Sequence, residues 1–321
     1  MSDQRVSVII ATYKRDDFLA EALASLADQT LPLPEVVVVD DGGAGSARQI
    51  VERFGPRFRY FWQPNGGMQS ARNHGVQEST GDWLAFLDDD DLWEPERNGL
   101  VAELIATKQV DLIAGDFRKF SSDGLKKESV FAEFARHAPG FWAGIPRPSG
   151  QKFSIIGSFP TTRLFPVYPF WPSTLVIQRG LFTRLGGWDV SLRGAKAEDI
   201  DFGFRAIKAG QLGVIWTPTV RYRCHDGNDS ADGLAVALGR IHLWEHLLKR
   251  VDLDEAERSA ISAAISQGLS EAHWSAFAKG DYKTVTKIAD RLGWQRLSFK
   301  DRGRTLVARL LCKFSSRSAH P

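Results

Sequence analysis

Four consecutive valines, Val36 to Val39, lie between Glu35 and Asp40. Successive residues of a strand point to opposite faces, so an unbroken apolar run needs cover on both sides, as in a parallel sheet flanked by helices. The surrounding sequence predicts that architecture. Val6 to Ile10, Arg59 to Trp62 and Trp83 to Leu87 predict further strands, while Phe18 to Leu26, Ser46 to Phe54 and Ser70 to Glu78 predict helices between them. Such alternation gives an α/β class with a mostly parallel sheet, whose ligands bind outside the carboxyl ends of the strands. Three polar clusters fall at those ends: Thr12 to Arg15, Asp40 to Gly43, and Asp88 to Asp91.

Further along, Val110 to Ala114 and Leu175 to Gln178 predict strands. The stretch from about Phe131 to Pro172, rich in Phe, Trp, Pro and Gly, predicts a binding loop, a lid or irregular strands. From Leu234 to Leu292, Ala, Leu, Glu and Lys dominate, which predicts a C-terminal helical appendage beginning after about Asp232.

The 41 basic and 39 acidic residues leave a net charge of +2, so no global field selects nucleic acid as partner. Cys224 and Cys312 are far apart and fit neither a disulfide framework nor a zinc site, which suits a reducing, cytoplasmic setting. The first apolar run is too short for a secretion signal, and no run reaches the roughly 20 residues that cross a bilayer. The glycines after Asp41 lack dinucleotide-binding spacing, and no phosphate loop ending in Gly-Lys-Ser/Thr is present. His242 and His246 lie one helical turn apart without an evident third metal ligand.

The four aspartates Asp88 to Asp91 follow the strand at Trp83 to Leu87 directly. Adjacent carboxylates repel one another. Two readings of the residues stand: a solvated acidic turn, or a site where Mg²⁺ or Mn²⁺ takes carboxylate oxygens and keeps positions open for diphosphate.

Val6-Ser-Val-Ile-Ile-Ala-Thr-Tyr-Lys-Arg, Val38-Val-Asp-Asp-Gly, Ala71-Arg-Asn-His-Gly and Phe86-Leu-Asp-Asp-Asp-Asp-Leu-Trp resemble, in order, the motifs of family 2 inverting glycosyltransferases. Pro172-Ser-Thr-Leu, Gly186-Gly-Trp-Asp and Glu198-Asp-Ile-Asp-Phe-Gly-Phe-Arg look like the family's acceptor-side motifs, and the similarity covers about residues 5 to 230. The resemblance implies a GT-A-like sheet domain over 1–232, with a nucleotide-sugar half to about 115 and an acceptor half over 116–232, then helices over 233–321.

It also implies roles. Thr12, Tyr13 and Arg15 belong to the loop that packs on a nucleotide base, and Asp41 accepts a hydrogen bond from a base N–H. Arg72 meets diphosphate or ribose oxygens. Asp90 contacts a divalent metal, Mn²⁺ or Mg²⁺, while Asp88 or Asp89, depending on register, binds ribose or donor sugar. His225 either joins the metal or diphosphate site or is structural. Asp199 is the general base for an acceptor hydroxyl. Trp188, Asp189 and Glu198 line the acceptor site, with core packing as the other reading of Trp188.

The expected partners are a nucleotide-diphospho-sugar donor, UDP-sugar by default, and a saccharide or lipid-linked saccharide acceptor in surface polysaccharide or glycolipid synthesis. The alternatives are a nucleotidyltransferase and a catalytically inactive sugar-nucleotide or glycan-binding module. Finally, residues 301–314 read as a basic amphipathic helix, expected either to pack on neighbouring helices or to touch the inner face of a membrane peripherally.

Overall fold

The computed structural model describes residues 5–147, 150–225, 232–250 and 252–317, with side chains omitted at Arg250 and from Lys313 onward. Asp226 to Asn228 and the residues after Arg317 lie outside the described residues. The chain forms two units, Met1–Gly194 with Asp199–His225 and Ala195–Glu198 with Asp226–Pro321.

In the first unit, β1 (Val6–Thr12), α1 (Asp16–Ala27), β2 (Glu35–Asp41), α2 (Ser46–Glu52), β3 (Phe58–Gln63), α3 (Met68–Glu78) and β4 (Trp83–Phe86) alternate along the chain. There follow β5 (Leu92–Trp93), α4 (Arg97–Ala106), β6 (Leu112–Ser121), β7 (Gly124–Leu125), α5 (Val130–His137), β8 (Phe153–Ile156), β9 (Val176–Gln178), α6 (Arg179–Arg184), α7 (Asp199–Ala209) and β10 (Leu212–Arg223). All the strands join one sheet of order β3-β2-β1-β4-β9-β6-β10-β5, with β7 added beside β6 and β8 beside β10. The β3-β2-β1-β4 part is parallel, whereas β9 runs antiparallel to both β4 and β6. The strand order reverses between β1 and β4, where a ligand crevice is expected.

The valine run explains the layering. Val36 and Val38 face the same core as Val8 and Ile10, under Leu19 and Leu23 of α1. Val37 and Val39 pack with Ala71 of α3 on the opposite side. At about 25 cal/mol per Å² of apolar area, cover on both faces makes each such residue count fully toward stability.

The aromatic stretch over 131–172 holds α5 and β8, and its rings form a packed cluster rather than an open platform. Phe131, Phe141, Phe159 and Phe170 are buried. Trp142 touches Phe131 and Trp216 at ring-centroid distances of 4.7 and 4.8 Å. The sequence also gave no signal for β10, because Pro218 and four arginine or threonine residues interrupt its pattern. β10 nevertheless runs parallel to β6, with a register break between Ile215 and Val220 that accommodates the proline.

Asp116 of β6 is buried, and its Oδ1 accepts from Phe117 N at 2.8 Å and Phe131 N at 2.9 Å. Burial pushes its pKa up to about 6, against hydrogen bonds that pull it down. A carboxyl group raised in the folded state favours folding most below its unfolded pKa and loses that contribution as pH rises to about 6. Asn would keep both hydrogen bonds without the charge. In urea melts, Asp116→Asn should therefore gain on wild type between pH 4 and pH 7, by up to about 3 kcal/mol; parallel pH profiles would show that the carboxyl group does not ionise against burial.

The second unit contains α8 (Gly233–Arg250), α9 (Glu255–Ala278), α10 (Tyr282–Leu292) and α11 (Phe299–Arg317). Asp254 and Glu257 form a capping box at the start of α9, and Asp281 caps α10 through Thr284 N. Leu234, Ile241, Leu269, Ala276, Val285, Ile288 and Ala308 form its core. No helix among the described residues is long and apolar enough to cross a membrane.

Candidate active site

The polar clusters at the ends of β1 and β4 meet at the strand-order reversal. Thr12 Oγ1 donates to Asp89 Oδ2 at 2.8 Å. Arg15 Nη1 bridges Asp89 Oδ1 at 3.2 Å and Asp90 Oδ2 at 2.8 Å. His225 Nε2 lies 3.2 Å from the same Asp90 oxygen, and its ring rests on Phe18 with centroids 4.9 Å apart. Arg72 Nη2 donates to Asp88 Oδ1 at 2.6 Å. Asp91 points away from this group, accepting from Ser173 Oγ at 2.6 Å and Arg223 N at 3.0 Å. Three carboxylates are thus distributed among two guanidinium groups and an imidazole, and the fourth holds the backbone together.

Their electrostatics show a shortage of positive charge. Burial, then the nearby Asp90 charge, pushes the Asp89 carboxyl up to about 7 despite Arg15 and Thr12. Burial and Asp88 also raise Asp90, against the opposing pull of Arg15 and His225. Burial works against the Arg15 charge, and Asp89 and Asp90 outweigh it, so its guanidinium is held more firmly protonated than usual. A divalent cation fits this donor set chemically, with Asp90 and His225 as its candidate protein ligands. Among the described residues no three His, Cys, Asp or Glu side chains converge on one metal position. Two protein ligands plus diphosphate and water oxygens would complete the shell, as Mg²⁺ commonly arranges it.

A cavity of about 510 Å³ opens beside this group, lined by Lys14 to Phe18, Asp40, Gly43, Ala44, Ser46 and Ala47. Its size falls within the range of small-molecule sites. Asp40, which the sequence reading passed over, is the strand-end carboxylate on this wall. It accepts from Gly43 N at 2.7 Å and Tyr60 OH at 2.9 Å. A side chain at position 43 would meet Asp40 Oδ1 at 2.4 Å, so the turn needs glycine there.

Asp41 points to the other face, because strand residues alternate. Its Oδ1 accepts from Gln63 Nε2 at 2.7 Å and Gly66 N at 2.8 Å, and its Oδ2 from Gly67 N at 2.8 Å. Asp41, the expected reader of a base N–H, thus also fixes the 63–67 loop ahead of α3, and it is Asp40 that borders the cavity.

Tyr13 is exposed, with Lys14 Nζ 4.9 Å from its ring centroid. Lys14 adopts φ 56°, a left-handed conformation that costs a side-chain-bearing residue energy and turns up at ligand loops. Trp188 is 2% exposed. One face stacks on Phe202 at 4.2 Å, and the Arg72 guanidinium lies 4.6 Å from the ring centroid. It offers no open face to a sugar; the core reading applies, and the ring braces Arg72. Asp189 caps the next turn through Ser191 N at 2.9 Å.

The segment from Trp188 to Arg193 is tied to α3 and its preceding loop. Asn73 Nδ2 donates to Trp188 O at 2.8 Å, Gln69 Nε2 to Leu192 O at 3.3 Å, and Arg193 Nη2 to Asn65 Oδ1 at 2.8 Å. Glu198 is buried and belongs to the second unit. Asp199 opens α7 and is half-buried. Burial and the charges of Asp199 and Asp201 raise the Tyr168 hydroxyl well above its ordinary pKa. Asp201 is committed to Arg205, at 2.6 Å to Nη2 and 3.0 Å to Nε. That arginine also holds Leu185 O and Gly187 O.

Arg223 also escaped the sequence reading. Its Nε donates to Asp90 O at 2.8 Å and its Nη2 to Glu21 at 2.6 Å, between the rings of Phe18 and Phe120. No motif marks it, since the contact depends on β10 returning beside β6.

The profile of Glycosyl transferase family 2 matches residues 7–158. An uncharacterised glycosyltransferase of Rickettsia typhi is 27% identical over 271 residues, covering 83% of this chain and 78% of that protein. The structure of S. aureus TarS 1–349 in complex with UDP superposes with a TM-score of 0.60 at 21% identity, covering 98% of this chain and 92% of that one. The mannosyltransferase PcManGT of Pyrobaculum calidifontis, in complex with GDP-Man and Mn²⁺, gives a TM-score of 0.55 at 18% identity over 98% of this chain and 81% of that one. Identities this low speak for the fold, a GT-A type of mixed α/β sheet followed by C-terminal helices.

Proposed function

Residues 7–158 match the profile of Glycosyl transferase family 2, and from that premise we propose that the chain is a metal-dependent, inverting glycosyltransferase acting on a nucleoside-diphosphate sugar. The observation that carries this reading is the joining of Asp88, Asp89 and Asp90 to Arg72, Arg15 and His225 beside the cavity at the ends of β1 and β2.

In this reading the base occupies that cavity, with Tyr13 in the loop just before the lining residue Lys14 and Asp40 on its wall as acceptor for a base N–H. Asp89, held by Thr12 and Arg15, orients ribose or donor sugar, and Asp88 keeps the Arg72 fork aimed at diphosphate oxygens. Asp90 and His225 would hold a divalent ion, which supplies positive charge where the leaving diphosphate develops negative charge. The acceptor hydroxyl attacks the anomeric carbon from the face opposite the diphosphate. Its oxygen forms the new glycosidic bond as the bond to the diphosphate oxygen breaks, and its proton passes to Asp199. Asp189 is the proposed acceptor-side carboxylate of the same unit. UDP is the favoured nucleotide, by the resemblance of the motifs and by the UDP bound to TarS. A polysaccharide or glycolipid acceptor completes the proposal.

The test is a thermal-shift panel of UDP, dTDP, GDP, ADP and CMP, each with and without Mn²⁺. A ligand that binds only the native state raises the unfolding temperature. One diphosphate should do so in a metal-dependent way, and its identity names the base. No shift from any of them at millimolar concentration with metal would overturn the reading.

A further inference from the structure

α11 is built inside out. Its buried contacts with the helical bundle come from Thr305 and Ala308, with His273 Nε2 of α9 2.9 Å from Thr305 Oγ1, and at their margins Asp301 lies 3.5 Å from His273 and Arg309 2.6 Å from Asp290. Its large apolar residues face solvent: Phe299 is 90% exposed, Leu310 57%, Leu306 52%, Val307 44% and Leu311 38%. At roughly 100° per residue, these five share one face of the helix, opposite Thr305 and Ala308. Lys300 and Arg304 fall along one edge of that face, and Arg302 and Arg309 along the other, where Arg302 also donates to Trp294 O at 3.1 Å and Arg309 pairs with Asp290. Between Arg296 and Arg317 the sequence carries seven Lys or Arg and one acid, Asp301, in a chain whose net charge is +2. Asp301 is turned inward, 2.7 Å from Arg304 Nη1.

From this arrangement we infer that the outer face of α11 docks on an anionic lipid surface. A helix with an apolar stripe and basic edges lies in the plane of the headgroups, its apolar side chains among the acyl chains and its cations on lipid phosphates. Arg309 pairs with the exposed Asp290 of α10, but the segment itself carries seven cations against the single inward-turned Asp301, so pairing with a second copy of the same face would bring mostly like charges together and the charge favours lipid over self-association. This docking goes beyond sugar transfer, and its test needs no sugar.

The full chain is sedimented with vesicles of phosphatidylcholine alone, or of equal parts phosphatidylcholine and phosphatidylglycerol, at low and high salt. The bound fraction on anionic vesicles should exceed that on neutral ones by about tenfold and fall as salt screens the charge. Leu306→Glu with Leu310→Glu should abolish binding without changing the unfolding temperature, because both positions are exposed. Should that variant fold poorly, the neutral-versus-anionic and salt comparisons on wild type decide by themselves. Wild type remaining in the supernatant, equal binding to neutral vesicles, or undiminished binding by the folded variant would each overturn the inference. A wild-type dimer that the same substitutions dissolve, without vesicle binding, would make the face a self-interface instead.

Discussion

Asp199→Asn should slow the release of nucleoside diphosphate from a matched donor and acceptor by about 10²–10⁴-fold, the usual contribution of a positioned general base. Asn matches Asp in size and suits a helix start, so α7 should keep its geometry while losing the group that takes the hydroxyl proton. Metal-dependent stabilisation by the nucleotide should be unchanged, because the groups proposed for the donor are Arg15, Arg72 and the carboxylates after β4. The neighbouring aspartate is the control. Asp201 is buried against Arg205, and breaking a buried pair leaves an uncompensated charge, at a cost of about 3–5 kcal/mol. Asp201→Asn should therefore lower stability first. Turnover by Asp199→Asn at the wild-type rate would remove Asp199 from the chemistry, whatever the nucleotide panel shows.

For Asp90→Ala the expected result is a dissociation between two stabilities. Asp90 is the carboxylate shared by Arg15 and His225, and both burial and Asp88 oppose its charge. Its removal relieves that repulsion, so the ligand-free protein should unfold no earlier than wild type. The stabilisation by nucleotide and Mn²⁺ together, about 2.7 kcal/mol at a hundredfold excess over Kd, should disappear. A surviving metal-dependent shift would move the metal away from Asp90, whereas a general loss of stability would mean that the carboxylate mainly holds Arg15 in place.

Within the tetrad, the sequence left the register open because adjacent acids look alike. The structure separates them by partner: Asp88 to Arg72, Asp89 to Thr12 and Arg15, Asp90 to Arg15 and His225, and Asp91 to Ser173 and Arg223 N. His225 lies 135 positions from Asp90 in sequence and Arg15 lies 75. No local pattern reports contacts over such distances.

Local physics determined much of this protein in advance. Val36 to Val39 required a sheet covered on both faces, the helical spacings placed α1, α2 and α3 between strands, and the tetrad had to emerge at the carboxyl end of β4. Those conclusions need only the period of each element, which its own residues carry. Tertiary structure decided which face each side chain meets. Asp40 and Asp41 point to opposite faces of β2, and the placement of α1, α2 and α3 put Asp40 on the cavity and Asp41 on the 63–67 loop. Packing of Phe202 and Arg72 against Trp188 closed its ring to solvent. In α11 the sequence showed an apolar face and a basic one. The bundle selected the small residues Thr305 and Ala308 for its contact, leaving the larger apolar side chains outside.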